Sequence, residues 1–326
     1  MSSRRTSSRH RCSEEGPVTK LADTRYELHP SDARYPRSLL DLSQPPETLY
    51  VRGNLDVLED PGLAVIGSRK PTPYGIAVAE MAATVAAQSG ITVVSGGARG
   101  CDQAAGKAAL AERGRHVIVL GTGADVTYPP SSARLIERTL ETGGAVVSIE
   151  RWGTQPRPYA FPKRNAIIAA LARAVFVAEA GMPSGTFSTA DAANKLGREI
   201  LSVPGSILSP ESRGSNYLIS VGATIIVDEE SLEVAVSRIF ETLRFSRIGP
   251  AEEPGMSETE RRILDALVAN PMRIDEIATM LGIDAVSCLN VLSGLQMTGR
   301  IERIIDGRFA PTKRALHARG AIMHNR

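Results

Sequence analysis

Between residues 62 and 245 the sequence repeats one pattern, in which a short, mostly apolar run is followed by a turn and then by a helical stretch. The predicted strands cover residues 63–66, 91–95, 116–120, 145–149, 174–177, 199–203 and 224–227. Apolar runs of this length are typical of strands that are buried on both faces. The helical stretches between them supply the crossovers that parallel strands need. The pattern therefore predicts an α/β fold with a doubly wound, mostly parallel sheet.

The rest of the chain is divided by composition and by its glycines and prolines. The predicted divisions are a disordered basic arm at 1–25, a short lead-in at 26–61, the sheet domain at 62–245, a linker at 246–256, a small winged-helix domain at 257–312 and a basic tail at 313–326. The arm lacks hydrophobic periodicity. Its residues Arg4, Arg5, Arg9 and Arg11 fit a contact with nucleic acid, but we favour a solvated tail.

The net charge argues against a protein that binds nucleic acid through its overall charge, and the cysteine spacing argues against a metal-binding or disulfide-rich protein. The 326 residues carry a formal net charge of only +2, so any nucleic-acid site must be a local basic patch. Cys12, Cys101 and Cys288 are far apart and form no metal or disulfide pattern, which fits a reducing compartment. The arginines near the start are followed by no apolar segment of the secretory type. We therefore expect a cytoplasmic protein with no membrane partner and no cofactor.

The most informative turn runs from Ser95 to Asp102, directly after the predicted strand 91–95. Its glycines allow a tight turn and a close approach of the backbone to a ligand. We expect Asp102 to cap the helix that follows, and Arg99 adds a positive charge. The free N–H groups of a helix N-terminus are suited to a phosphate. The same residues also fit a plain strand-to-helix turn with no ligand, and Arg99 also fits a structural ion pair.

Basic and aromatic side chains are interleaved before the predicted helix 164–171. Phe161 and Tyr159 lie beside Lys163 and Arg164. This composition fits single-stranded nucleic acid, because cations pair with phosphates and bases stack on rings. It also fits ordinary surface charge with Phe161 anchoring the loop, and the residues alone favour this second interpretation.

The C-terminal segment reads as three helices and a hairpin, which is typical of a winged helix. Its presumptive recognition helix, residues 284–298, contains no Lys or Arg. Residues 300–326 hold seven Lys or Arg residues against two acidic ones. We therefore favour a protein contact for the helix, or backbone contacts by the wing and tail, over reading of base edges.

No arrangement of a nucleophile and a base is visible in the sequence. The five histidines are scattered and fit neither a catalytic group nor a metal site: His10, His29, His116, His317 and His324. Acidic residues follow predicted strands at Asp125, Glu150 and Glu179. For these we favour structural roles in loops over general acid–base catalysis.

Several motifs, taken together and in order, resemble the DNA-processing protein A (DprA/Smf) family. They are Tyr35-Pro36, Pro45-Pro46, Leu49-Tyr50, Gly53, Val65 to Arg69, Ser95 to Gly100, Gly121 to Asp125, Tyr128-Pro129, Phe161 to Asn165, Ile167 to Ala169, Glu179-Ala180, Ser184 to Thr186, Thr189-Ala190, Val203 to Gly205 and Gly214 to Asn216. The C-terminal segment also resembles the winged helix that many members carry.

The resemblance implies an extended Rossmann-like domain that binds single-stranded DNA without catalysis. It implies a homodimer that protects incoming strands and helps load the recombinase RecA during natural transformation. By motif, the residues expected to contact DNA are Ser68, Arg69, Gly97, Arg99, Phe161, Lys163, Arg164 and Asn165. Two positions depart from the family pattern: Ser132 stands where many members have Asn, and Ala166 where many have Arg.

Two other functions compete with this one. The first is a nucleotide phosphoribohydrolase of the related lysine-decarboxylase-like (LOG) fold, whose signature turn is followed by a Glu. The corresponding turn here is Pro183 to Thr186, with no Glu in Phe187-Ser188-Thr189. The second is sequence-specific repression through the winged helix, which the uncharged recognition helix disfavours.

Overall fold

The computed structural model describes residues 24–242, 256–304, 306–312 and 315–316. Most of the predicted arm, linker and tail lies outside these ranges. The strands of the main sheet are β1 (Arg25–Leu28), β2 (Leu49–Gly53), β3 (Gly62–Ile66), β4 (Val93–Ser95), β5 (His116–Val119), β6 (Ala145–Ser148), β7 (Ala172–Val177), β8 (Glu199–Ser202) and β9 (Thr224–Ile225). Their order across the sheet is β1-β2-β6-β5-β4-β3-β7-β8-β9.

Helices cover both faces of the sheet, so the predicted doubly wound architecture is confirmed. They are α1 (Pro73–Gln88), α2 (Cys101–Ala111), α3 (Ala133–Glu141), α4 (Ala160–Ala170), α5 (Thr186–Lys195), α6 (Arg213–Ser220) and α7 (Glu229–Phe240). Apolar side chains of α4 and α5 form one core with the lead-in. Those of α1, α2 and α7 form a second core on the opposite face. In the part of the sheet with the order β6-β5-β4-β3-β7-β8-β9, every pair of neighbouring strands is parallel.

The lead-in contributes two strands to the sheet, which the sequence reading did not identify. β1 and β2 pair antiparallel, and β2 pairs antiparallel with β6. Leu49 and Val51 of β2 are fully buried, and Tyr35 and Leu39 anchor the connecting segment in the core. The alternation of buried and half-buried residues in β2 is the period-two pattern of a strand.

The C-terminal segment has the predicted winged-helix elements and a hydrophobic core of its own. These elements are α8 (Glu258–Ala269), α9 (Ile274–Leu281), α10 (Ala285–Met297), β10 (Ile301–Arg303) and β11 (Phe309–Pro311). The predicted capping box is confirmed, because the Glu260 N–H donates to Ser257 Oγ and the Ser257 N–H donates to Glu260 Oε2. Across the described ranges, no single helix has the length and apolar character to cross a bilayer, and only the bent pair α9 and α10 matches by length and composition.

Candidate nucleic-acid interface

A pocket of about 450 Å³ opens at the carboxyl ends of β3 and β7. In sheet order β3 lies between β4 and β7, so this is where the strand order reverses, the usual ligand position in open α/β sheets. The lining is Ile66, Gly67, Ser68, Arg69, Lys70, Ala98, Asp102, Arg164, Asn165, Ile168, Gly181, Pro183, Ser184, Gly185, Thr186 and Thr189. The first turn of α5 contributes to this wall, and a helix N-terminus favours an anion.

The structure gathers four of the predicted contact residues around this pocket: Ser68, Arg69, Arg164 and Asn165. Phe161 lies at its rim, with its ring centroid 5.8 Å from Arg69 Cζ and 5.9 Å from Arg164 Cζ. Lys163 is exposed on α4, and its Nζ lies 5.4 Å from the ring centroid of Tyr159. Gly97 and Arg99 belong to the neighbouring turn and are outside the lining, so their contact with DNA stays a prediction.

Arg164 is buried, although the sequence predicts it at the start of a helix as a DNA-contacting cation beside Lys163. It lies within α4 and is only 4% exposed. Its Nη1 donates to the carbonyl oxygens of Gly96 at 2.6 Å and Val119 at 2.7 Å. Burial lowers the pKa of the guanidinium to about 10, and the Asp102 carboxylate opposes this shift. Arg164 therefore ties the ends of two strands together beneath the pocket.

The glycine-rich turn at Ser95 to Asp102 is occupied by the chain's own carboxylate. Asp102 Oδ2 accepts from the N–H groups of Gly96 at 3.0 Å and Ala98 at 3.3 Å. The predicted cap is wrong, because Gly100 is the N-cap of α2 and Asp102 lies in the first turn. The carboxylate folds back onto the turn, where two N–H groups point inward. The turn thus shapes the pocket wall and does not leave these two groups free for a phosphate.

Phe161 packs against Gly121 and Tyr128 on one side and lies next to Arg69 of the pocket on the other. A Cβ added to Gly121 would lie 2.9 Å from the Phe161 ring, so the glycine allows this close contact. The ring centroid lies 5.7 Å from that of Tyr128. Phe161 is half-buried, so it both anchors the segment and supports the Arg69 guanidinium, which lies over its ring.

The acidic group at the end of β7 has a structural role, as the sequence reading favoured. Glu179 accepts from the N–H of Thr72 at 2.8 Å and from its hydroxyl at 2.5 Å. Thr72 in turn caps α1 by accepting from the Gly75 N–H. Burial raises the pKa of Glu179. In the parts of the chain that the structure describes, no cluster of three His, Cys, Asp or Glu residues could hold a metal.

His116 is buried beside Ser95, where the glycine-rich turn begins, and is held by two hydroxyl groups. Its Nε2 lies 3.0 Å from Ser95 Oγ, and its Nδ1 lies 2.9 Å from Thr139 Oγ1. Burial lowers the pKa of His116 from 6.5 to about 3. The folded protein therefore keeps this ring neutral and uses it to join β4, β5 and α3.

We expect the stability of the protein to fall in mild acid because of His116. The unfolded chain protonates this ring below its ordinary pKa of 6.5, whereas the folded chain does so only near 3. The contribution of His116 to the free energy of unfolding is therefore fully present above the pKa of the unfolded chain. It is lost as the pH falls, by about 2 kcal/mol between pH 6.5 and 5. Urea unfolding at a series of pH values measures it. His116→Gln should show a flatter pH dependence, and parallel curves for the two proteins would contradict this account.

Several lining residues were not among the predicted contacts. Lys70 lines the pocket, and the signal in the sequence was its position directly after the motif Val65 to Arg69. Thr186 and Thr189 come from α5, which follows a different strand. Of the two departures from the family pattern, Ser132 is buried and donates to the carbonyl of Pro129 at 2.7 Å. Ala166 is half-buried on α4.

Comparison with known proteins identifies the family. The model of the DNA recombination-mediator protein A family matches residues 27–237, and that of the DprA winged helix domain matches residues 249–307. The chain belongs to this family. Protein Smf of Escherichia coli is 33% identical over 316 residues, which cover 94% of this chain and 82% of that protein. This agrees with the resemblance carried by the sequence motifs.

Two solved structures of DprA proteins are similar to this chain. The DNA processing protein A of Streptococcus pneumoniae has a TM-score of 0.60 at 37% identity, covering 66% of this chain and 75% of that one. The protein from Helicobacter pylori, described as having a unique single-stranded DNA binding mode, has a TM-score of 0.60 at 28% identity, covering 66% of this chain and 97% of that one. With the family model matching residues 27–237, these likenesses assign the DprA fold to the main sheet of this protein.

Proposed function

We propose that this protein binds a single DNA strand at the pocket between β3 and β7. In this role it is a recombination mediator that protects incoming DNA and helps load RecA during natural transformation. The observation that carries the proposal is the pocket itself, where Arg69, Lys70 and the N-terminus of α5 meet. Arg69 and Lys70 are exposed, and neither has an ion-pair partner among the described residues. The single-stranded DNA bound by the Helicobacter relative supports the same ligand here.

The shape of the pocket favours a single strand over a duplex. It is a recess between the segments 67–70 and 181–186, bounded on a third side by α4. An unpaired nucleotide can enter such a recess, and a volume of about 450 Å³ is in the range of small-ligand sites. The backbone of a duplex is stiff and its bases are paired, so it presents nothing that the recess can admit.

We propose binding without catalysis, and the phosphoribohydrolase alternative is not favoured. Pro183 to Thr186 line the pocket, but no Glu follows them in α5. The nearest candidate carboxylate in sequence, Glu179, is engaged by both donors of Thr72. Asp102 is likewise engaged by two backbone N–H groups. Neither carboxylate is placed as a free general base.

A homodimer is also part of the proposal. The sheet ends at the short edge strand β9, and an edge strand presents unpaired backbone groups. Ile225 of β9 is 47% exposed, and Val221 and Val227 beside it are more exposed still. Exposed apolar side chains next to an open edge fit a contact with a second copy of this chain.

A comparison of three ligands tests the DNA proposal. We expect filter binding to retain single-stranded DNA, with much weaker retention of an equal length of duplex DNA and of AMP. If about four phosphates are neutralised, log affinity should fall with log salt at a slope of roughly −3. Preference for AMP with a flat salt response would contradict the proposal and favour a small-molecule site.

A further inference from the structure

An exposed aromatic ring lies outside the pocket with a cation on each side of it in sequence. Tyr159 directly precedes α4 and is 52% exposed. Lys163 lies one helical turn later, and its Nζ is 5.4 Å from the ring centroid. Arg157 Nη1 donates to the Tyr159 hydroxyl at 3.0 Å. Both cations thus hold the ring at the surface, although burying it would be favourable.

This ring is close in the chain to the rim of the pocket. Tyr159 and Phe161 are two residues apart, so their Cα atoms lie within about 7.6 Å of each other. Phe161 contacts Arg69, which lines the pocket, and Tyr128, which is 39% exposed. Aromatic rings and cations therefore continue from the pocket past Phe161 to Tyr159. We call Arg157, Tyr159 and Lys163 the outer ledge.

We propose that the outer ledge is a second subsite, on which the next unpaired base of the bound strand stacks against Tyr159. Arg157 and Lys163 then pair with the phosphates that flank this base. A ring with cations beside it is the usual arrangement for bases of any sequence, because every base has a π-face. The inference rests on the proposed function, since it extends the same DNA strand beyond the pocket.

The phosphates and the bases contribute separately, and this allows a sharp test. The probes are a thymidine hexamer and a hexamer of the same phosphates with abasic residues. Stacking adds affinity only for the first probe, whereas cation–phosphate pairing adds affinity for both. We expect Tyr159→Leu to weaken binding of the thymidine hexamer about 5- to 10-fold and to leave the abasic hexamer almost unchanged. Lys163→Met should weaken both probes alike.

Tyr159→Phe is the matched control, because it keeps the ring and removes only the hydroxyl that Arg157 contacts. It should bind the thymidine hexamer within about twofold of the original protein, and thermal unfolding should show all three variants folded. The outer ledge would be overturned if Tyr159→Leu bound each probe as tightly as the original protein does. It would also be overturned if Tyr159→Phe bound the thymidine hexamer as weakly as Tyr159→Leu. Failure of the original protein to bind the thymidine hexamer would instead refute the proposed function.

Discussion

Replacing Arg164 by methionine is expected to lower the free energy of unfolding by about 3 to 5 kcal/mol. The guanidinium is buried and donates to the carbonyls of Gly96 and Val119. Its loss removes a donor from two carbonyls and leaves the buried Asp102 carboxylate without its nearest compensating charge. Methionine fills a similar volume, so an empty cavity contributes little. Equilibrium unfolding in urea measures the change.

Lys163→Met is the matched control, since it makes the same kind of replacement one residue earlier. Lys163 is exposed, so the expected change in unfolding free energy is within about 0.5 kcal/mol. Arg164→Lys should be intermediate, because an ammonium keeps the charge but cannot bond both carbonyls in the same geometry. Equal stability of the Arg164→Met and Lys163→Met proteins would show that Arg164 is not a structural residue.

The difference between these neighbours explains one limit of the sequence reading. The sequence predicts a helix that begins at Arg164 and gives Lys163 and Arg164 the same role as cations that contact DNA. The helix begins at Ala160, so the two residues are consecutive helical positions, about 100° apart around the axis. One side chain therefore points inward and the other outward. The residue types alone do not indicate which of Lys163 and Arg164 is buried.

The main sheet was predictable because its strands are continuous apolar runs with turns between them. The lead-in was harder, since β1 and β2 are separated by a segment with four prolines, and proline usually argues against regular structure. The fold accommodates them by placing Pro30 in the turn after β1, Pro36 before a single helical turn and Pro45-Pro46 in the loop before β2. The pairing of β2 with β6 joins this segment to the main sheet, and the paired residues are distant in sequence.

The site was predictable in part for a similar reason. The motif after β3 and the motif in α4 are local, so Ser68, Arg69 and Asn165 could be recognised from the sequence. The opposite wall, from Gly181 to Thr189, meets them because β7 pairs with β3. Strand order is a property of the whole sheet, and the pattern of strands and helices along the chain does not specify it. The engagement of Gly96 and Ala98 by Asp102 was hidden for the same reason, because it depends on how the turn folds back.

Replacing Arg69 by alanine is expected to weaken single-strand binding about 10- to 100-fold while leaving the stability of the protein unchanged. A hydrogen-bonded contact between a guanidinium and a phosphate is worth about 1.5 to 3 kcal/mol, which corresponds to this loss. The side chain is exposed at the pocket mouth, with its guanidinium over Phe161, and the fold does not depend on it. Loss of one phosphate contact should also make the salt slope shallower by about 1.

Arg99→Ala tests whether DNA binding depends on the pocket or on positive charge anywhere along this edge of the sheet. Arg99 is also exposed, but it lies on the glycine-rich turn outside the pocket lining. If the pocket carries most of the binding, a contact of Arg99 with a phosphate outside the pocket is worth only a screened surface ion pair, and this variant should lose less than about fivefold in affinity. Gel shifts with a fixed oligonucleotide at one salt concentration compare the two variants directly. A larger loss for Arg99→Ala than for Arg69→Ala would move the DNA site from the pocket to the glycine-rich turn.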